Sequence, residues 1–421
     1  MVRCRSCCSQ RSSPGQQQSI RAFTDPVDSR TPSVENFLDY YSSQAPARYS
    51  YTQIITYTNN LEHNLGKGGF GTVYRGKLPN GHLIAVKILD ESKQSEQQFI
   101  AEVATVGTTC HINLVRLLGY CSQGCKRALV YEYMINGSLD KYIHGDHKEE
   151  IDWKQLFSIA VGTARGIAYL HEDCRNRILH CDIKPHNVLL DANFLPKVAD
   201  FGLAKISDRE ESHVSVANGG TLGYAAPEMW SRLYGVVTDK SDVYSYGILL
   251  MEMVGRRKNI DYKYLESNSS KFFYAEWAFK QVEKGEFENL RKEDMSEEDQ
   301  VIAKRLSLVG LWCIQFKASR RPSMTKVVQM LEGDVDITTP PFPFPVDTPL
   351  QPSSHQSSSS SSASEIQMVD PSSHSEVQMV HSSRRPSMRK VVQMLEGDVP
   401  PFPFPVDTLQ GSSSHRSSSS S

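Results

Sequence analysis

No run of about 18 consecutive apolar residues occurs anywhere in the 421-residue chain, so the sequence offers no membrane-spanning helix. The start of the chain lacks the apolar stretch of a secretory leader. Net charge is only −2, too weak a field to argue for nucleic acid, and no nucleic-acid partner is expected. Nine cysteines are present, yet they form no zinc set: Cys121 and Cys125 lie four apart with no second Cys or His pair to complete them. A reduced, cytoplasmic setting is therefore the expectation, with Cys121 and Cys125 as buried or half-buried thiols, Cys110, Cys174, Cys181 and Cys313 scattered, and no disulfide framework. The N-x-Ser matches at Asn136 and Asn268 are chance on the same ground. No Gly-x-x-x-x-Gly-Lys-Ser/Thr loop exists, which leaves the P-loop class unsupported.

What is present divides the chain into three textures. Residues 1–48 are polar and rich in Arg, Ser and Gln, the composition of a disordered segment. Cys4, Cys7 and Cys8 lie there among arginines; S-acylation of these thiols would allow peripheral contact with the plasma membrane, whereas Val2 excludes myristoylation. Residues 49–335 have an apolar content and periodicity suited to one large domain. Short alternating strands (Gly76–Leu78, Leu83–Leu89) flank Pro79-Asn80-Gly81, a hairpin turn signal. A helix is expected from Gln97 to about Gly107, and further strands to about Tyr133. After Gly137 the pattern turns helical. Leu156, Ile159, Ala160, Thr163, Ile167 and Leu170 share one face, and the segment around Val243–Val254 is apolar nearly all round, as suits the middle of a lobe. A closing helix carries Met324, Val327, Val328 and Leu331, with Ser323 to cap it and Gly333 to end it. Strands first and helices after give an α+β fold in two lobes: a small β-rich lobe and a larger helical one.

Residues 336–421 are rich in Pro and Ser, and they contain a repeat. Arg320–Met324 and Lys326–Val335 recur as Arg384–Met388 and Lys390–Val399; Pro340–Thr348 recurs unchanged as Pro400–Thr408. Two copies separated by serine runs do not make a solenoid. The second stripe (Met388, Val391, Val392, Leu395) has no lobe of its own to pack on.

The chemistry concentrates in His180-Cys181-Asp182-Ile183-Lys184-Pro185-His186-Asn187 and, after a short apolar strand, Asp200-Phe201-Gly202. Asp182 can accept a proton from a hydroxyl, Lys184 can offset charge on a moving phosphate, and Asn187 and Asp200 can hold magnesium. Upstream, Gly66-Lys67-Gly68-Gly69-Phe70-Gly71-Thr72-Val73 is a glycine loop whose backbone can close over phosphates where a side chain would collide. It runs into a strand. A dinucleotide site needs a helix N-terminus there, so the NAD reading fails. Lys87 ends the strand Ile84-Ala85-Val86-Lys87, where it can reach phosphates. Glu102, on the inward face of the next helix, needs a buried partner, and Lys87 is the natural one. In Leu129–Met134 the backbone of Glu132 and Met134 is placed to bond an adenine edge, with Val73 and Ala85 over its face and Tyr131 at the back. Glu228 is expected to pair with Arg321, and Asp242 to bond the backbone of the catalytic loop; both are supports.

Taken together these motifs resemble the protein kinase superfamily, and closely resemble plant receptor-like kinases. Tyr169-Leu170-His171-Glu172, Gly223-Tyr224, Ala226-Pro227-Glu228, Lys240–Gly247 and Leu311–Gln315 carry that likeness; Leu311–Gln315 with Arg321–Met324 suggests the lectin-type or rust-resistance-type branch. The resemblance covers residues 49–335. It implies ATP with magnesium, or manganese in its place, and transfer to Ser or Thr of protein substrates, with Lys184 and Thr221 favouring alcohol acceptors. It also implies a receptor or co-receptor kinase as partner. The alternative is a catalytically weak scaffold of the same fold, against which stands the presence of Lys87, Asp182 and Asp200. One departure matters. Cys181 stands where many relatives carry an arginine that pairs with a phosphate on the activation segment, so phosphorylation of Ser207, Ser212, Ser215 or Thr221 is not expected to switch activity through that pairing. The chain reads as a receptor's cytoplasmic half.

Overall fold

The computed structural model describes residues 46–69, 71–207, 220–230, 234–260, 273–290 and 295–344. The small lobe is a twisted sheet of six strands: β1 (Ala47–Arg48), β2 (Asn64–Gly68), β3 (Gly71–Lys77), β4 (Leu83–Leu89), β5 (Leu117–Gln123) and β6 (Lys126–Glu132), in the order β1-β5-β6-β4-β3-β2. Only β1, parallel to β5, breaks the antiparallel pattern. Alternation decides which side of the sheet each residue serves. Ile84 and Val86 turn into a fully buried core with Ile54, Cys121, Ala128 and Val130. Ala85 and Lys87 face the other way, with Val73 opposite Lys87 and Tyr131 opposite Ala85. The β3–β4 hairpin closes at Pro79–Gly81, where Gly81 takes φ +89° and its N–H donates to Leu78 O at 2.9 Å.

Helix α1 (Tyr51–Tyr57) precedes β2, and α2 (Lys93–Thr105) follows β4. The latter begins a full turn before the expected Gln97, because Ser92 caps it by accepting from Ser95 N at 3.1 Å. Its polar first turn carries no apolar period that a sequence reading could detect.

The larger lobe holds α3 (Asp140–Ile143), α4 (Trp153–Ala168), α5 (Pro227–Trp230), α6 (Asp239–Gly255), α7 (Tyr274–Lys284), α8 (Glu297–Cys313) and α9 (Met324–Glu332), with short strand pairs β7 (Arg177–Leu179) with β10 (Lys205–Ser207) and β8 (Val188–Leu190) with β9 (Pro196–Val198). Helix α6 runs through the middle, buried from Ser241 to Val254. It crosses α8 closely: a Cβ on Gly247 would lie 2.6 Å from Cys313 Cβ. Ser323 caps α9 through Lys326 N at 3.2 Å, and Gly333 ends it in the left-handed region.

Packed contacts reach past residues 49 and 335 on both sides. Ala47 and Arg48 add a strand to the sheet, and Tyr49 N donates to Tyr120 O at 2.8 Å. The segment after α9 lies along the larger lobe, where Trp312 Nε1 donates to Thr338 O (2.8 Å), Gln315 Nε2 to Pro341 O (3.0 Å) and Phe316 N to Pro343 O (2.9 Å). Proline-rich composition hid this, because a strap held by its carbonyls needs no N–H of its own. Cys125, on the turn between β5 and β6, is exposed, which corrects the expectation of a buried or half-buried thiol there; Cys110, in the loop after α2, is exposed too. Cys4, Cys7, Cys8 and the second repeat lie outside the described residues.

Candidate active site

The glycine loop is the β2–β3 hairpin. Asn64 Oδ1 accepts from Gly66 N at 2.8 Å and fixes its entry. Gly71 is demanded by the protein itself: a Cβ there would sit 2.1 Å from the Ile88 carbonyl oxygen. Gly66 and Gly69 are different. Neither has a positive φ, and a Cβ on either would meet nothing within 4 Å. Nothing inside the chain requires glycine at these two positions, so the space they keep open suits the close approach of a phosphate to backbone. Gly68 is nearly as open, Lys67 is exposed opposite Thr72, and Phe70 lies outside the described residues.

Lys87 joins the two lobes. Its Nζ lies 2.6 Å from Glu102 Oε1 on α2 and 2.7 Å from Asp200 Oδ1. The Lys87 side chain is 13% exposed and that of Glu102 1%, whereas Asp200 remains 40% exposed toward the cleft. Tyr131 at the end of β6 donates its hydroxyl to the second oxygen of Glu102. Burial works against a charged Lys87, but the carboxylates of Glu102 and Asp200 overcome it and hold the ammonium protonated. Burial likewise raises the Asp200 carboxyl, and Lys87 more than reverses this, leaving Asp200 below its ordinary range. Asp200 itself takes a left-handed backbone (φ 64°), which a non-glycine residue adopts only where its surroundings compel it.

The loop from His180 to Asn187 is assembled around Asp182. Lys184 Nζ lies 2.7 Å from Asp182 Oδ2, and Asn187 Nδ2 donates to the Asp182 carbonyl (2.8 Å) and to Oδ2 (3.1 Å). With its amide nitrogen thus engaged, Asn187 turns an oxygen elsewhere, a donor suited to a hard cation. Asp200 supplies a carboxylate of the same kind. This donor set fits magnesium. Thr221 closes the ring: it accepts from Lys184 Nζ at 2.8 Å and donates to Asp182 Oδ1 at 2.6 Å. Below the loop, buried Asp242 on α6 accepts from His180 N (2.7 Å), Cys181 N (2.8 Å) and His171 Nε2 (2.9 Å). This clamp keeps Cys181 at φ 64°. His180 receives Asp182 N on Nδ1 (3.2 Å) and donates from Nε2 to Ala199 O (3.0 Å), tying the loop to the strand before Asp200.

Thus Val73, Ala85, Lys87, Glu102 and Asp200 share one side of the sheet or its opposing wall, and Asp182, Lys184 and Asn187 form a second, contiguous set. Glu132 spends its side chain on Arg116 N (2.8 Å) and Lys197 (3.1 Å) and its N–H on Arg116 O (3.2 Å), which leaves its carbonyl to face a ligand. Met134 follows, its carbonyl accepting from Gly137 N at 3.1 Å. Glu228 and Arg321 form a two-bonded ion pair (2.6 and 3.0 Å) beneath the loop, with Ser241 Oγ donating to Glu228 at 2.7 Å. The sequence reading did not foresee three bonds: Tyr131 to Glu102, Thr221 to Asp182, and His171 to Asp242. Each joins segments far apart in the chain, and the motifs that contain these residues carry no spacing signal for the partner.

A family model described as protein tyrosine and serine/threonine kinase matches residues 59–331. Three relatives from Arabidopsis thaliana illustrate the likeness. A leaf rust 10 disease-resistance locus receptor-like protein kinase-like 2.5 is 48% identical over 323 residues, covering 76% of this chain and 48% of the relative. A PR5-like receptor kinase is 48% identical over 300 residues (70% and 45%). A G-type lectin S-receptor-like serine/threonine-protein kinase is 51% identical over 306 residues (71% and 34%). The chain spans about half, or less, of the length of these relatives.

Proposed function

From the premise that the chain belongs to the protein tyrosine and serine/threonine kinase family, in its plant receptor-like branch, we propose that it transfers the γ-phosphoryl group of ATP to serine or threonine hydroxyls of protein substrates. The observation that carries this reading is the Lys87 ammonium held at 2.6 and 2.7 Å between Glu102 and Asp200, in the same cleft as the Asp182 ring. When bound, ATP with magnesium supplies the phosphoryl group and the cation that offsets its charge.

The chain's own residues supply placement and proton handling. Glu132 and Met134 would bond the adenine edge through backbone, with Val73 and Ala85 against the ring. The open backbone of Gly66, Gly68 and Gly69, with Lys67 beside it, would lie over the phosphates, and Lys87 would fix them. Asn187 and Asp200 would hold magnesium. Asp182 would take the proton of the acceptor hydroxyl, and Lys184 would stabilise charge on the group in transit. The Thr221 hydroxyl already makes, to Asp182 Oδ1, the bond an acceptor alcohol must make before losing its proton. That supports a serine or threonine acceptor; tyrosine as a further acceptor stays open.

Receptor-linked signalling is part of the proposal, with a receptor or co-receptor kinase as partner and the cytoplasmic face of the plasma membrane as the place of action. No helix of the described residues is long and apolar enough to cross a membrane. Contact through S-acylated Cys4, Cys7 and Cys8 belongs to residues outside the described structure. The test is phosphoryl transfer by the purified chain from Mg-ATP to a generic basic protein. Asp182→Asn is expected to lower turnover by about 10²- to 10⁴-fold and Lys87→Met by at least about 10²-fold. Nucleotide binding without transfer in the unmutated chain would refute the reading.

A further inference from the structure

Helix α2 meets the Asp200-Phe201-Gly202 segment at more than the ion pairs of Lys87. One helical turn before Glu102 stands Gln98, on the same inward face of the helix. Gln98 is 4% exposed and Glu102 1%. A Cβ built on Gly202 would fall 1.8 Å from Gln98 Nε2 and 2.5 Å from both Cδ and Cγ of the same side chain. Gln98 therefore fills the space in which any other residue at position 202 would place its first side-chain carbon.

Backbone conformation does not explain glycine here, because Gly202 has no positive φ. Hydrogen bonding does not explain Gln98 either. Its Oε1 is buried and has no donor among the described residues, an arrangement that costs stability. The two residues are accounted for by fit: Gly202 is a notch and the Gln98 side chain sits in it.

The two contacts of α2 differ in stiffness. The chain from Glu102 through Lys87 to Asp200 runs along a flexible four-carbon stem, which tolerates sliding. Gln98 meets backbone. Contacts one turn apart fix the direction of the segment as well as its distance from the helix. Asp200 needs such restraint, since its left-handed backbone (φ 64°) persists only where the surroundings over-determine it. Phe201, between Asp200 and Gly202, is wholly buried, with its ring centroid 4.8 Å from that of His180.

We propose that Gln98 is a positioning residue: seated on Gly202, it sets the direction in which the Asp200 carboxylate meets the magnesium of a bound nucleotide. This rests on the reading of Asp200 as a metal ligand given above. Magnesium demands near-octahedral geometry, so a small turn of Asp200 weakens its hold on the ion and leaves the other contacts of the nucleotide in place.

The test is a double-mutant cycle in the full chain, read by calorimetric titration with ADP, once with magnesium and once with EDTA. Gly202→Ala is expected to weaken ADP binding by about 10-fold with magnesium and by less than about 2-fold with EDTA. In a Gln98→Ala background the same substitution is expected to cost less than about 3-fold, because the clash is gone. Gln98→Ala alone should lower the affinity with magnesium by about 3-fold, whereas Gln98→Met, which keeps the length of the side chain, should leave it unchanged. Melting temperatures show which forms are folded, and if Gly202→Ala is not, the comparison of Ala with Met at position 98 decides. An equal cost of Gly202→Ala in both backgrounds overturns the proposal. So does a loss with EDTA as large as that with magnesium, or equal affinity of the Ala and Met variants. Absence of any magnesium effect in the unmutated chain would refute the metal site itself, and the proposal with it.

Discussion

The Thr221 hydroxyl donates to Asp182 Oδ1 at 2.6 Å while its own oxygen accepts from Lys184 Nζ at 2.8 Å. A residue from the segment after the described break thus completes the ring around the expected proton acceptor. Removing it leaves Lys184 with Asp182 alone and frees the loop to shift. Thr221→Ala is expected to lower kcat by about 10- to 100-fold while leaving the KM for ATP near its original value. Thr221→Ser, which keeps the hydroxyl, should recover most of the loss. Equal damage from both substitutions would mean that packing, and not the hydrogen bonds, is what Thr221 provides.

Tyr131 and Glu102 give a second prediction. Glu102 is buried, one carboxylate oxygen taken by Lys87 and the other by the Tyr131 hydroxyl. Burial and the adjacent Glu102 push the Tyr131 phenol well above its ordinary pKa, so it stays a donor across the accessible pH range. Tyr131→Phe leaves a buried charged oxygen without its donor, at a cost of about 1–3 kcal/mol in unfolding free energy. Urea unfolding should register this loss, and activity should fall with it as Glu102 loses the fixed position that orients Lys87. A variant as stable and active as the parent would show the bond to be dispensable.

Much of this was readable from residue order and some was not. The glycine loop, Lys87, Asp182, Asn187 and Asp200 announce themselves because each sits in a local motif whose chemistry needs those residue types at that spacing. The strand at Ala47–Arg48 does not, since a two-residue strand has no period to detect and gains its partner from β5, some 70 positions on. The strap at 338–343 hides for a different reason: its composition is that of a linker, and only its carbonyls are used. The start of α2 was lost to a polar first turn whose only signal is the Ser92 cap.

Cys181 leads to a chemical prediction. The thiol is buried, and burial together with neighbouring Asp242 and Asp182 raises its pKa well above that of a free cysteine. The thiolate is the reactive form, so a maleimide at pH 7 should label Cys110 and Cys125 in the folded chain and pass over Cys181. With a thiol and not a guanidinium at position 181, this residue cannot pair with a phosphate on the activation segment. Phosphatase treatment should therefore leave activity within about 2-fold. Collapse of activity on dephosphorylation, with recovery on rephosphorylation of that segment, would contradict this. Ser212 and Ser215 lie outside the described residues, and Ser207 is buried in β10.

Asp242 yields the prediction that depends on pH. Burial alone would raise its carboxyl, but His171, His180 and the backbone donors outweigh that and hold it below the ordinary carboxylate range. A group with a depressed folded-state pKa contributes stability that is complete above its unfolded value, about 3.9, and is lost as pH falls through the folded value. Asp242→Asn removes the charge from a site with three donors and turns an amide toward backbone N–H groups, at a cost of about 3 kcal/mol near neutral pH. The gap between parent and variant should be constant from pH 7 to 5. It should then narrow below about pH 4, because only the parent has an ionised Asp242 to lose. Urea midpoints measured at unit intervals from pH 7 to 3 decide the matter, since a gap that stays fixed to pH 3 would place the stabilisation in side-chain shape and not in the carboxylate charge.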